Sequence, residues 1–183
     1  QESLIMPNSK RAEQIFLCPV GLVGAGKTTV IKPLSERLGL VKVSTDEVRK
    51  LLKENGQGYE SVKEIVALII EELARSGYSI AFDMDCGNPI VKEQAEILSK
   101  ELKIKIYWIH INPPEEFILE KLRHHPASWL ASDPEVMVKN YFDQKDKRLK
   151  EGTLFDFDFV FDTSRPDLDK QISTFIDLME HNK

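Results

Sequence analysis

The sequence predicts a three-layer α/β/α fold built on a five-stranded parallel sheet. Short apolar runs alternate with helix-length segments along the 183 residues. Because each pair of successive strands is separated by a segment long enough to form a helix, the strands should run parallel and be joined by right-handed crossovers. A glycine-rich turn separates the first apolar run from the first helical segment. No internal repeat or low-complexity tract interrupts this alternation.

Five short apolar runs are predicted to be strands. They cover residues 14–20, 40–44, 78–83, 105–111 and 157–161. Helices are predicted over residues 27–38, 44–55, 61–77, 89–102, 113–123, 133–150 and 167–181. Ser44 with Glu47, and Ser61 with Glu64, have the spacing of capping boxes that open helices. Gly39 is predicted to end the first helix.

The composition is that of a globular protein without a membrane span. The hydrophobic share of 42% and the charged share of 30% suit a single core, and no apolar run approaches the roughly 20 residues that cross a bilayer. We expect a cytoplasmic monomer or homodimer with one domain over residues 14–183 after a flexible segment, 1–13. The net charge of −5 disfavours a nucleic-acid partner. Cys18 and Cys86 are expected to be buried reduced thiols.

The strongest motif is residues 21–28, Gly-Leu-Val-Gly-Ala-Gly-Lys-Thr, which has the spacing of a P-loop. Glycines let backbone N–H groups approach phosphate oxygens, and the following helix adds its positive N-terminal end. Lys27 should reach the outer phosphates of ATP, and the Thr28 hydroxyl should hold Mg²⁺. The alternative is a glycine-rich turn with an exposed lysine. The predicted nucleotide-binding residues here are Gly21, Val23, Gly24, Ala25, Gly26, Lys27, Thr28 and Thr29.

Two carboxylates follow the third predicted strand. Asp83 ends the apolar run, and Asp85 comes two residues later. If this strand neighbours the first, a carboxylate at its end can bind Mg²⁺ directly or through water. The alternative is a helix cap or a solvated turn. We favour the metal role for Asp83 and leave both roles open for Asp85.

Asp46 and Arg49 lie just past the second predicted strand and share one helix face. A hydroxyl that accepts a phosphoryl group must lose its proton, and a carboxylate in the cleft can take it. Arg49 could then hold an anionic or polar part of the acceptor. The alternative is an ordinary first-turn aspartate paired with a nearby arginine.

Residues 124–152 are predicted to form a helical lid that begins irregularly and is rich in cations. An arginine that closes over the developing charge promotes phosphoryl transfer. Arg123 is the first candidate for this cation and Arg148 the second. His124 and His125 lack further ligand residues nearby in the sequence for a metal site. Trp129 is equally suited to packing the lid shut or to packing in a hydrophobic core.

Arg165 follows the fifth predicted strand in the segment Thr163-Ser164-Arg165-Pro166. A loop at that edge can clasp the nucleotide base, and the guanidinium of Arg165 could stack on it. A simple strand-to-helix turn explains the same residues equally well.

With these residues placed, the sequence resembles the small P-loop kinases, which include gluconate and shikimate kinases and the kinase domain of polynucleotide 5′-hydroxyl kinases. The resemblance is closest over residues 15–112. It rests on the loop at 21–28, the segment from Ser44 to Arg49, Asp83, and the stretch from Ile109 to Pro114. It implies a P-loop NTPase fold with sheet order 2-3-1-4-5, an Asp46 that contacts or activates the acceptor, and lid arginines. Residues 126–130 match no acceptor-specific motif.

The leading hypothesis is therefore an ATP- and Mg²⁺-dependent kinase that phosphorylates a hydroxyl of a small molecule. A GTPase-type switch is disfavoured because neither an Asn-Lys-x-Asp guanine motif nor an Asp-x-x-Gly segment follows the third strand. A nucleotide-binding module without transfer activity and a kinase for 5′-hydroxyl ends of nucleic acids remain as alternatives.

Overall fold

The computed structural model describes residues 13–124 and 133–181. The segment predicted to be flexible, up to residue 12, lies outside the described residues. So do residues 125–132 of the predicted lid, which include His125 and Trp129.

The described residues form a parallel α/β sheet. Its strands are β1 (Ile15–Val20), β2 (Val41–Ser44), β3 (Ile80–Asp83), β4 (Lys105–Ile111) and β5 (Phe159–Phe161). Their order is β2-β3-β1-β4-β5, and the pairs β1–β3, β2–β3 and β4–β5 are parallel. The predicted fold class and strand order are confirmed.

The helices of the described residues follow the predicted alternation. They are α1 (Lys27–Leu38), α2 (Thr45–Glu54), α3 (Val62–Arg75), α4 (Pro89–Leu102), α5 (Glu115–His124), α6 (Pro134–Glu151) and α7 (Leu168–His181). None of these helices is long and apolar enough to span a bilayer.

The chain divides into two compact units. The first comprises residues 1–19 and 31–107, and the second comprises residues 20–30 and 108–183. The single domain expected over residues 14–183 stays a prediction.

The first unit places the ends of β2 and β3 side by side. Ser44 pairs with Asp83 in the parallel register of these strands. Helix α3 buries Val66, Ile70 and Ala74, which recur every four residues along one face of the helix. This packing fixes the strand ends from which the predicted metal and acceptor residues project.

The second unit includes residues 108–111 of β4, in which buried side chains alternate with less buried ones. Ile109 pairs with Phe159 of β5, and the Phe161 ring packs edge-on against Phe175 of α7. The Asn112 N–H donates to the Phe161 carbonyl oxygen at 2.8 Å. These contacts fix the carboxyl end of β4, where the candidate site lies.

One predicted helix cap is wrong. The Ser44 hydroxyl accepts a hydrogen bond from the Glu47 N–H, as expected for a helix N-cap, but Ser61 makes no such bond. Ser61 has φ −95° and ψ 4°, whereas a capping residue needs extended backbone to turn its hydroxyl toward the helix N–H groups.

Candidate active site

The loop between β1 and α1 has a shape that only glycine permits at two of its positions. A Cβ added to Gly21 would lie 2.9 Å from the backbone carbonyl oxygen of Ile111, which cannot move aside cheaply. Gly26 has φ +93°, and a Cβ there would lie 3.1 Å from the Thr163 side chain. These glycines therefore keep the loop backbone close to its neighbours and free of side chains, which is what a phosphate cradle requires.

The Lys27 ammonium group lies across this loop. Its Nζ donates to the carbonyl oxygens of Gly21 at 2.9 Å and Leu22 at 3.0 Å. An anionic phosphate oxygen is a stronger acceptor for an ammonium than a neutral carbonyl. The lysine is thus held where it can exchange these carbonyls for the outer phosphates of a nucleotide.

Two side chains from distant parts of the second unit hold the loop. The Thr163 hydroxyl donates to the Ala25 carbonyl oxygen at 2.6 Å. The Val23 N–H donates to Gln144 Oε1 of α6 at 2.7 Å. The Ala25 N–H donates to the Leu22 carbonyl oxygen at 3.1 Å. Of the predicted nucleotide-binding residues, Val23 and Ala25 therefore have their backbone N–H groups engaged within the protein.

Two of the predicted phosphate and metal ligands lie at the first turn of α1. Thr28 and Thr29 are exposed there, at the positive end of the helix dipole. The glycine cradle, the lysine and this helix start together fit a triphosphate. The residues that would hold the nucleotide are therefore those of the loop and the first turn of α1.

A cavity of about 420 Å³ adjoins the loop within the second unit. Its walls include Gly21 and Leu22 of the loop, His110 and Asn112 at the end of β4, Arg148 of α6, and Phe157. The His110 and Phe157 rings stack with centroids 4.5 Å apart and planes inclined by 11°. Burial lowers the pKa of His110 below its ordinary value of 6.5, so the neutral imidazole is favoured in this wall.

A hydrogen-bonded cluster joins α5 to α6 at the same cavity. Tyr141 and Lys145 both donate to Glu115 Oε2. The hydrogen bond from Lys145 lowers the pKa of Glu115 the most, and the hydrogen bond from Tyr141 lowers it further. Burial and the bond to Glu115 raise the pKa of Tyr141 to about 12. These shifts favour the ionised Glu115 carboxylate and the neutral Tyr141 phenol.

The two candidate lid arginines occupy different environments. The Arg148 side chain lines the cavity, is 21% exposed, and donates to Glu151 Oε2 at 3.1 Å. Arg123 is exposed near the end of α5 and is not among the cavity-lining residues. The cavity lining therefore distinguishes Arg148 from Arg123, and which of the two is the catalytic cation stays a prediction.

In the first unit, Asp46 and Arg49 form the ion pair expected from their spacing. The Arg49 guanidinium donates to Asp46 Oδ1 at 2.8 Å. The Asp46 side chain is 65% exposed, so it remains accessible to an acceptor. The pair is also compatible with an ordinary surface contact in the first turns of α2, worth at most about 1 kcal/mol.

The carboxylates after β3 differ in their surroundings. Asp83 has a side chain only 5% exposed, and its Oδ2 lies 3.9 Å from Lys42 Nζ. Asp85 Oδ1 accepts a hydrogen bond from the Gly87 N–H at 2.9 Å, which closes a turn. The Asp85 carboxylate thus supports the local turn, whereas Asp83 lies at the end of β3, and its metal role stays a prediction.

Within residues 13–124 and 133–181, no cluster of three or more histidine, cysteine or carboxylate side chains could bind a metal. This is compatible with Mg²⁺, which binds through one or two protein oxygens together with substrate phosphates and water.

Arg165 lies in the loop after β5 and is engaged with a neighbour. Its guanidinium donates to Asp167 Oδ2 at 2.7 Å, and its side chain is largely exposed. Thr163, two residues earlier, contacts the P-loop directly. This part of the second unit therefore lies next to the phosphate cradle, although Arg165 itself is committed to its ion pair.

Sequence reasoning missed Gln144, His110 and Phe157 at this site. The partner of Gln144 is 121 residues away in the chain, and no local spacing indicates such a contact. The stack of His110 on Phe157 joins β4 to a segment near β5, so it becomes visible only once these strands are paired.

A family model described as AAA domain matches residues 17–148. A shikimate kinase from Dehalococcoides mccartyi is 32% identical over 115 residues, which cover 58% of this chain and 61% of that protein. The chain thus spans about three-fifths of the length of this curated relative. These findings confirm the predicted resemblance to small P-loop kinases.

Two solved structures share the fold. Shikimate kinase from Acinetobacter baumannii, in complex with shikimate, has a TM-score of 0.57 and 18% identity, with coverage of 93% of this chain and 95% of that one. A gluconokinase from Sinorhizobium meliloti 1021 has a TM-score of 0.58 and 13% identity, with coverage of 93% and 94%. At such identities the likeness shows the fold alone.

Proposed function

The chain belongs to the AAA domain family, and on that premise we propose that it is a kinase that transfers the γ-phosphate of ATP to a hydroxyl group of a small molecule. The observation that carries the proposal is the glycine cradle with the Lys27 ammonium lying on the Gly21 and Leu22 carbonyls. The similarity to shikimate kinase supports a hydroxyl group as the acceptor of the phosphate. The aromatic wall of the cavity does not specify which molecule carries that hydroxyl group.

We assign the binding of ATP, the phosphate donor, to the loop at residues 21–28. Backbone N–H groups and Lys27 would bind the phosphates and disperse the charge that develops on the transferred group. Thr28 and Asp83 would hold Mg²⁺, which would neutralise charge between the outer phosphates. The side chain of Asp83, nearly buried at the end of β3, suits this role better than that of Asp85.

We assign the binding and deprotonation of the hydroxyl acceptor to Asp46 and Arg49. The Asp46 carboxylate would accept the proton of the attacking hydroxyl, while Arg49, bonded to its Oδ1, holds the carboxylate in one orientation. Arg148 would supply the cation that balances charge in the transition state, because its side chain already lines a cavity beside the loop.

A screen of hydroxyl acceptors for ADP release above background tests this proposal. The panel should contain sugars and sugar acids, nucleosides, aminoglycosides and a 5′-hydroxyl oligonucleotide, the last of which distinguishes a kinase for nucleic-acid ends. Acceptor-dependent ADP release by the wild type, lost in Lys27→Ala, is the expected result. A rate of ADP release that is the same with and without each acceptor would indicate a nucleotide hydrolase or binding module instead.

Asp46→Asn separates transfer from nucleotide binding. The substitution keeps the size of the side chain and removes its basicity, so we expect transfer to be abolished while the ATP affinity, measured by calorimetry, stays within about twofold. Lys27→Ala should instead weaken ATP binding as well. Full transfer activity in Asp46→Asn with the true acceptor would show that another group takes the proton.

A further inference from the structure

Gln144 connects helix α6 to the phosphate loop. Its Oε1 accepts a hydrogen bond from the Val23 N–H at 2.7 Å. Backbone N–H groups of such a loop are the donors that cradle phosphates, so the carboxamide of Gln144 lies at the edge of the phosphate site. The structure also fixes where this carboxamide can be, because α6 is anchored on both sides of it.

The anchor is the cluster on Glu115. Tyr141, three residues before Gln144, is buried on α6 and donates to Glu115 Oε2. Lys145, the next residue after Gln144, donates to the same oxygen atom. Because a helix is stiff over one turn, these two bonds to α5 hold Gln144 in reach of the loop.

Arg148 lies one turn after Gln144 on the same face of α6 and lines the cavity together with Gly21 and Leu22 of the loop. The contact between Gln144 and Val23 therefore ties the backbone of the loop to the part of α6 that carries Arg148. Loss of the hydrogen bond between Gln144 and Val23 should alter the position of Arg148 relative to the phosphoryl group that is transferred.

We propose that Gln144 is a positioning residue that fixes the Val23 peptide group and couples α6, with Arg148, to the phosphate site. This inference rests on the proposed kinase function. It assigns the role to the neutral carboxamide specifically. A carboxylate could accept the same hydrogen bond but would add a negative charge beside the phosphates, and a hydrocarbon of similar size would accept no hydrogen bond.

The first test measures the hydrogen bond without any nucleotide. Amide hydrogen exchange of Val23, followed by NMR of the ¹⁵N-labelled protein, should be slow in the wild type and in Gln144→Glu. It should become at least about tenfold faster in Gln144→Leu, which leaves the donor without its acceptor. Equal exchange rates in the wild type and Gln144→Leu would overturn the inference, whether or not the protein is a kinase.

The second test uses charge at the phosphate site. Gln144→Glu retains the hydrogen bond and lowers the charge by one, and we expect it to weaken ATP binding on the order of tenfold by calorimetry. Lys139→Gln is the matched control, because it lowers the charge of α6 by one at a side chain that is 74% exposed. An ATP affinity in Gln144→Glu equal to that of the control would refute a location beside the phosphates.

The third test separates positioning from general structure. Gln144→Leu should lower kcat for acceptor phosphorylation on the order of tenfold and leave KM for the acceptor within about twofold, because the loop would no longer be held against the part of α6 that carries Arg148. An unchanged kcat would overturn the coupling to Arg148. Failure of the wild type to bind ATP or to transfer phosphate would instead refute the proposed function. The amide exchange rate of Val23 would then still test the hydrogen bond between Val23 and Gln144.

Discussion

Gly26 is a loop position at which one added methyl group should be costly. Its backbone has φ +93°, and a Cβ would lie 3.1 Å from Cγ2 and 3.2 Å from Oγ1 of Thr163. The Thr163 side chain cannot simply rotate away, because its hydroxyl donates to the Ala25 carbonyl oxygen at 2.6 Å. Gly26→Ala therefore imposes both backbone strain and a forced displacement of Thr163.

The expected cost has two parts. An L-residue with left-handed backbone costs about 1–2 kcal/mol, and displacing Thr163 adds roughly 1–2 kcal/mol through crowding and a weakened hydrogen bond. The sum of about 2–4 kcal/mol corresponds to a lowering of Tm by roughly 5–15 °C for a protein of this size. We also expect ATP binding to be lost, because the displaced loop no longer directs its N–H groups to the phosphates.

Gly77→Ala is the matched control. Gly77 has a similar backbone, φ +87°, but a Cβ there would meet nothing within 4 Å, so only the backbone cost of about 1–2 kcal/mol should apply. Urea denaturation of both variants measures the difference. The double variant Gly26→Ala with Thr163→Ala should recover part of the loss, as a double-mutant cycle would show. Equal destabilisation by Gly26→Ala and Gly77→Ala would refute the packing argument.

Three further predictions concern single side chains of the second unit. Arg148→Ala should lower kcat at least about tenfold more than Arg123→Ala, because only Arg148 lines the cavity beside the loop; equal losses in steady-state assays would count against this assignment. The lowered pKa of His110 means that the folded protein binds fewer protons there than the unfolded chain, so the free energy of unfolding should fall as the pH drops through 6.5. His110→Phe, which retains a ring against Phe157, should flatten this dependence in denaturation curves recorded across that range, and an unchanged slope would exclude His110 as its source. Arg165→Ala should raise KM for ATP about two- to fivefold if the guanidinium leaves Asp167 to stack on the base; an unchanged KM would leave Arg165 as a turn residue.

Much of the fold followed from the sequence because hydrophobic pattern and turn residues agree locally. The bounds predicted for β4, Lys105–Ile111, are those observed, and α4 begins at Pro89 and ends at Leu102 as predicted. In α4 a proline at the first turn and an asparagine cap mark the start. Such signals depend on neighbouring residues only, so they can be recognised without knowledge of the tertiary structure.

The beginnings of β1, β3 and β5 were predicted too early, at places where contacts between distant residues lie. Gln14 precedes β1, and its side-chain amide donates to the carbonyl oxygens of Ala74 and Tyr78. Ser79 precedes β3 and uses its hydroxyl to accept from the Ile15 N–H. Phe157 stacks on His110 and does not extend β5. In each case a side-chain contact between residues distant in the chain lies next to the first residue of the strand.

The candidate site was predictable only in part for the same reason. The loop at residues 21–28 and the Asp46–Arg49 pair follow from short spacings, and their roles at the site stay predictions. The engagement of the Val23 N–H by Gln144, and the preference for Arg148 over Arg123, depend on how α6 packs against α5. No pattern within a window of the sequence encodes that packing.

We propose that this chain moves the γ-phosphate of ATP onto a hydroxyl group. Incubation with γ-labelled ATP and the acceptor found in the screen, followed by mass spectrometry of the acceptor, measures this transfer directly. We predict labelled phosphate on the acceptor with the wild type and none with Lys27→Ala or Asp46→Asn. Label that appears only as inorganic phosphate, with every acceptor unmodified, would contradict the claim.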